Sequence, residues 1–504
     1  MLALLAFAVP AAAFTEPQVI SSHNGVLRTT FTAEEGPGVI AGKRVNGTIL
    51  INGQFPSPTL KVRPGDRIEI KFINKLHQDT NIHFHGLHVS PAGKSDNVFR
   101  TFRPGGTYQV SVKIPHDHPN GLYWYHPHLH GEVNNQVLRG YAGMISIEGG
   151  EEQVPSLQKF RKRNIALNLT QFDASGESVV NPNDENDPTS TTTVNGKLGQ
   201  SISMRPGETQ LWRIANISNE GFYKLSLDGH KMWVVGVDGN PTRVAQHTKT
   251  IFLVPGARYE VLVQAGKTGS YDFRQLSYFE GFTSVPAQKL ATLNVAGKTT
   301  SSPPIPRHVK SFEDLSHAKV DVRRKWILSF SADNAPVFQA FINGKTFDPN
   351  RLDSRAKLGS VEEWTFYNST TEDHPIHLHT NDFQLVGLNG RPVRPIAPID
   401  DTVLPGHGNI TIRFKPLTYT GLAVFHCHIL FHEDSGMMAT IRFVKSGGKA
   451  SVVEAAGMPS VHDQAEVLSD VLDPGVTKQP RLPAQTVKDF WLFCKLHGLR
   501  SVAV

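Results

Sequence analysis

Only two cysteines, Cys427 and Cys494, occur in 504 residues, too few for a disulfide framework. A bridge between them would also compete with the chemistry open to Cys427, so a disulfide scaffold is not expected. No apolar run reaches the roughly 20 residues that a membrane-spanning helix needs, which argues against a membrane span. The net charge of +6 and the pI of 9.1 arise without any basic block, so nucleic-acid binding is not indicated. Methionine is scarce, with seven residues and no methionine-rich insert, and long helical periodicity is missing.

Short alternating or apolar segments remain, broken by Gly, Pro and Asn turns, and they point to an all-β chain built of sandwiches rather than βαβ units. Its length exceeds what one core supports. Met1–Ala13 is apolar and ends in small residues, like a signal-peptide core and cleavage site, although it lacks a basic start. Export to a secreted or periplasmic location is expected from it. Sequons at Asn46, Asn168, Asn216, Asn368 and Asn409 could carry sugar in a eukaryotic secretory host.

Internal repetition fixes the domain plan. Arg63–Asn74, Arg205–Asn216 and Lys357–Asn368 are turn-plus-strand segments of equal length. Nine and eleven positions beyond each terminal asparagine lie His83 and His85, then Leu225 and Leu227, then His377 and His379. A second register starts at the turns Pro104-Gly105, Pro255-Gly256 and Pro405-Gly406. It leads to Gly121, Gly269 and Gly421, and five and seven residues later come His126 and His128, Arg274 and Leu276, His426 and His428. The middle copy keeps the strands and drops the imidazoles. Three related sandwiches follow, at 14–150, 151–300 and 301–446, with a tail at 447–504 that carries no readable pattern.

Ten of the 23 histidines fall in four short clusters. On strands an i, i+2 pair presents both rings on one face, so eight imidazoles converge on one space and need more than one metal. In His426-Cys427-His428 the cysteine points the other way. Cys427, His432 and Met437 offer a thiolate, an imidazole and a weak axial thioether, and one more histidine completes a blue-copper centre.

His-Phe-His-Gly, Trp-Tyr-His-Pro-His-Leu-His-Gly, His-Pro-Ile-His-Leu-His and His-Cys-His-x3-His-x4-Met resemble, in order, the four copper motifs of the multicopper oxidases, the laccase-like family. The resemblance implies three consecutive cupredoxin-like Greek-key domains and four coppers. One type 1 copper takes electrons from a reducing substrate, and a trinuclear cluster of one type 2 and two type 3 coppers reduces dioxygen to water. By motif position, His374, Cys427 and His432 with axial Met437 correspond to the type 1 ligands, and His83 and His377 to type 2. One type 3 copper corresponds to His85, His126 and His428, and the other to His128, His379 and His426. Asp96 and Glu433 stand where relatives place acids that assist proton delivery, though Asp96, followed by Asn97, suits a turn as well.

The resemblance implies small reducing substrates, foremost phenols and aromatic amines. Metal ions are the alternative, and the absence of a methionine-rich insert speaks against some of those specialists. A non-enzymatic scaffold is a third reading, opposed by the filling of every ligand position; zinc would not use this arrangement.

Overall fold

The computed structural model describes residues 12–150, 154–172, 189–282 and 284–445. The tail with Cys494 and the first eleven residues of the expected leader lie outside them. Ala12–Ala13 forms a two-residue edge strand parallel to Gln200–Ser201.

Each repeat unit folds as two packed sheets. The first pairs a four-stranded sheet with a five-stranded one, the second two six-stranded sheets, and the third a six-stranded sheet with a five-stranded one. The asparagine that ends each repeat strand explains why the copies fold alike. Asn74, Asn216 and Asn368 each receive the N–H two residues on, from Leu76, Ser218 and Thr370. Each also sends its amide to a carbonyl of the following loop, Gln78, Gly221 or Glu372. This is an Asx turn with a second anchor, and it aims the next strand. The same geometry buries two of the sequons: Asn216 and Asn368 have 0% and 3% exposure and spent amides, and Asn168 is buried as well, so these three sequons are unsuited to sugar.

The strands that matter lie edge to edge. In the first unit His83–His85 pairs with Gly121–His126, setting His83 opposite His126. In the third, His374–Leu378 pairs with Gly421–Cys427, setting His377 opposite His426. The corresponding middle strands, Tyr223–Leu227 and Gly269–Leu276, also pair in continuous register, and a bulge at Phe273/Arg274 shifts only the pairing of the second with Gln288–Val295.

The expectation that every histidine pair sits on a strand is corrected in part. His128, His379 and His428 lie just past the ends of their strands. At His128 the cause is Pro127, which has no N–H for the ladder. The rings still converge, because His128 N bonds to Asn81 Oδ1, His379 N to the Val424 carbonyl and His428 N to the Pro375 carbonyl.

After His428 the chain makes a single helical turn, Leu430–Asp434, which brings His432 back toward Cys427. Gly436 closes it at φ +116, where a Cβ would press on Ala340 O and Thr346. Met437 N then donates to His432 O at 2.9 Å, and Cys427 N to Met437 O at 3.1 Å. Asp434 caps the helix Val133–Leu138 of the first unit by accepting from Gly131 N and Asn134 N at 2.7 and 2.8 Å. An apolar cluster containing Trp124, Val137, Ala166, Ile217 and Leu430 joins residues of all three units beside the histidines.

Candidate metal centre

The strand Gly421–Cys427 and its continuation separate two chambers. On one side Cys427 Sγ lies 3.5 Å from His374 Nδ1 and 3.7 Å from His432 Nδ1. All three residues are buried, as is Met437, whose backbone straps Cys427. Each imidazole is oriented through its outer nitrogen. His374 Nε2 meets Thr370 Oγ1 at 2.8 Å, while that hydroxyl donates to Asn368 Oδ1. His432 Nε2 faces Glu372 Oε2 at 3.3 Å. Burial raises the Cys427 thiol well above its ordinary value, and burial with the neighbouring His432 pulls His374 down. The pocket therefore holds a neutral thiol until a cation draws off its proton.

On the other side lie the eight remaining histidines of the clusters. Two trios, His85, His126, His428 and His128, His379, His426, bring their ligand nitrogens within 4.8 Å of one another, and His83 does the same with His85 and His377. Rings from different units stack, His83 on His379 at 4.0 Å and His85 on His377 at 3.9 Å. Trp124 walls the space against His126 at 4.2 Å.

The outer nitrogens are tied to acceptors. His83 Nδ1 lies 2.9 Å from Asp96 Oδ1, and His85 Nε2 lies 2.8 Å from Asp401 Oδ2. His126 Nδ1 meets Pro127 O and His377 Nδ1 meets Asp400 O at 2.8 and 2.9 Å. His426 Nδ1 lies 3.0 Å from Cys427 O and 3.1 Å from Glu433 Oε2. The opposite nitrogens, His83 Nε2, His85 Nδ1, His126 Nε2 and His377 Nε2, are buried with no hydrogen-bond partner, as are both nitrogens of His428. Burial above all lowers His126 and His377 to about 3, so their lone pairs are free at ordinary pH. Orphaned inward nitrogens on rings fixed from behind form a metal-ligand arrangement, and this donor set, imidazole on one side and thiolate with imidazole on the other, fits copper.

The two acids singled out in the sequence stand in this wall. Asp96 accepts from Phe84 N at 2.9 Å and turns toward His83, not toward Asn97; burial raises its carboxyl to about 8. Glu433 is fully buried, 3.4 Å from His128 Nδ1 as well as close to His426. His116, His118 and His130 join neither chamber; His118, for instance, bonds His88 N and Pro119 O.

Sequence reading missed Glu372, Asp400 and Asp401, and with them Asp238 and Arg258 of the middle unit. One signal was available: Asp400-Asp401 interrupts a largely apolar run from Pro395 to Leu404, and two adjacent acids there must be paired if buried.

Among known proteins, three multicopper oxidase family profiles match residues 32–152, 165–297 and 319–446. A multicopper oxidase of Staphylococcus haemolyticus is 29% identical over 441 residues, 84% of this chain and 91% of that protein. Laccase-1 of Melanocarpus albomyces is 25% identical over 518 residues, 84% and 79%. The solved structure of a multicopper oxidase from Campylobacter jejuni, described as a metallo-oxidase, superposes with a TM-score of 0.76 at 26% identity, covering 86% of this chain and 96% of that one. With three cupredoxin-like units and two histidine-lined chambers, the chain belongs to the multicopper oxidases, copper oxidoreductases that use oxygen as acceptor.

Proposed function

We propose that this chain is a laccase-type oxidase of phenols and aromatic amines. His374, Cys427, His432 and Met437 would hold its type 1 copper, and His83 with His377 its type 2 copper. The two type 3 sites are the trios His85, His126, His428 and His128, His379, His426. Copper in these positions supplies one-electron oxidation at the first site and dioxygen reduction at the other three. The chain contributes the covalent link, since Cys427 lies between His426 and His428 and the backbone on either side leads straight from one chamber to the other.

The observation that carries the substrate class is the surroundings of His432. Among the two histidines that face Cys427 it is the less enclosed, at 4% exposure against 0% for His374. Phe330 lies 4.9 Å from its ring and Phe338 6.0 Å, and Phe338, 38% exposed, stacks on Phe431. An aromatic substrate has rings to rest on, and the Glu372 carboxylate at His432 Nε2 is placed to take the proton that a phenol releases on oxidation. Asp96 and Glu433, placed behind His83 and behind His426 and His128, serve proton delivery to the eight-histidine chamber. The leader Met1–Ala13 is the address for export, which N-terminal sequencing of the mature protein checks.

A second reading, oxidation of a reduced metal ion, is favoured by a different feature. Burial, with the charges of Glu280 and Glu372, raises the Glu220 carboxyl to about 7, so three acids gather on the side of His432 that Glu372 faces. Relative rates on a phenol, an aromatic amine and ferrous ion separate the two. Faster turnover of the organic substrates supports the first, and a clear preference for ferrous ion overturns it in favour of the second.

A further inference from the structure

The middle unit gives neither chamber an imidazole or a thiolate, yet it sends a fully buried cation to the wall of the eight-histidine chamber. Arg258 opens the strand Arg258–Gln264 and has 0% exposure. Its guanidinium forks onto Asp400 of the third unit, Nη1 to Oδ1 at 2.5 Å and Nη2 to Oδ2 at 2.6 Å. Its Nε donates to the carbonyl of Leu122 in the first unit at 3.3 Å, and Nη1 and Nη2 donate to Gly256 O and Asp238 O in its own. One side chain thus touches all three units.

Asp238 braces the arrangement. Its Oδ1 accepts from Arg258 N at 2.8 Å, and its Oδ2 from the backbone N–H groups of Asp400 and Asp401 at 3.2 Å each. Those two residues hold the histidines: Asp400 O accepts from His377 Nδ1, and Asp401 Oδ2 lies 2.8 Å from His85 Nε2 and 3.5 Å from His377 Nδ1. His85 comes from the first unit and His377 from the third. The sequence leaves room for the fork: a Cβ on Gly86, the residue after His85, would overlap Arg258 Nη2 and Asp400 Oδ2. A planar, always-charged guanidinium suits a bidentate grip that a lysine ammonium does not reproduce.

We propose that Arg258 is a positioning residue for the trinuclear site. Through Asp400, Asp401 and the Asp238 brace, the middle unit fixes the mutual orientation of His85 and His377 and thereby sets copper capture where His83 and His377 meet. The inference rests on the ligand assignment above. Among the described residues no hydrogen bond or ion pair of Arg258 reaches His374, Cys427, His432 or Met437, and the type 1 chamber serves as the internal standard.

The test compares wild type, Arg258→Met and Arg258→Lys after copper loading, by copper count, blue absorption, the type 2 electron paramagnetic resonance signal and chelator competition. Groups that orient metal ligands from behind contribute about 10- to 100-fold in metal affinity. Both variants are expected to keep blue absorption and to hold type 2 copper at least about tenfold more weakly, with an altered type 2 signal; lysine retains more than methionine. Wild-type type 2 affinity and signal in Arg258→Met overturn the proposal, and so does an equal loss of type 1 and type 2 copper. If Arg258→Met is not recovered folded, Arg258→Lys decides on the same readings. A wild-type protein with blue absorption but no type 2 copper would instead overturn the ligand assignment.

Discussion

The Glu433 carboxylate lies 3.1 Å from Nδ1 of His426 with no solvent exposure, directly behind one of the rings that line the eight-histidine chamber. That position suits the proton-delivery role proposed for it. Glu433→Gln keeps the shape and removes the titratable group. Turnover under air is expected to fall by about 100-fold or more, the scale of general acid catalysis, with copper content and anaerobic bleaching of the blue colour by substrate unchanged. Unchanged oxygen consumption would remove Glu433 from the reaction.

Cys427 joins the two chambers, so its loss should uncouple them. Cys427→Ser is expected to abolish the blue absorption and bring substrate oxidation to background, while most of the copper in the histidine chamber is retained. Copper analysis beside a spectrum and an oxygen-electrode trace checks this.

Met437 is buried and its backbone is tied to Cys427 and His432, and its thioether is the ligand proposed to complete the type 1 set. A coordinating thioether lowers the type 1 potential. Met437→Leu should raise it in a redox titration and shift preference toward harder substrates; an unchanged potential would make Met437 simple packing.

The first and second units are held together partly by charge. Glu148 of the first lies 3.0 Å from Lys162 and 3.4 Å from Arg213 of the second. Burial alone would raise its carboxyl, but the Arg213 and Lys162 charges override this and bring it to about 2 from an ordinary 4.5. Since the folded value lies below the unfolded one, the stabilisation is present above pH 4.5 and is lost as pH falls toward 2. Thermal unfolding should lose midpoint across that window in wild type, and Glu148→Gln should flatten this part of the profile.

Most of the chemistry was legible because it is local. His83 with His85 and His426 with His428 are i, i+2 pairs whose spacing is visible in the chain itself, and the internal repeats align them. The carboxylates and the cation behind those rings were not legible, because Asp400 and Asp401 meet His377 across a strand pair and Asp401 meets His85 across a unit boundary, Arg258 joins them from the middle unit, and none of the three shares a period with the histidines. The middle unit looked blank for the same reason. Its ligand positions are empty, at Leu225 and Arg274, while its contribution comes from the single residue Arg258 at the head of a strand. The Asn216 and Asn368 sequons misled because the sequence does not show that a turn has already used the amide.

The most direct test of the account is copper analysis of the purified, copper-loaded chain together with its visible spectrum. The two chambers predict the family's four coppers per chain, with intense blue absorption from the Cys427 site. A colourless protein that holds no copper after loading would contradict the account at its root.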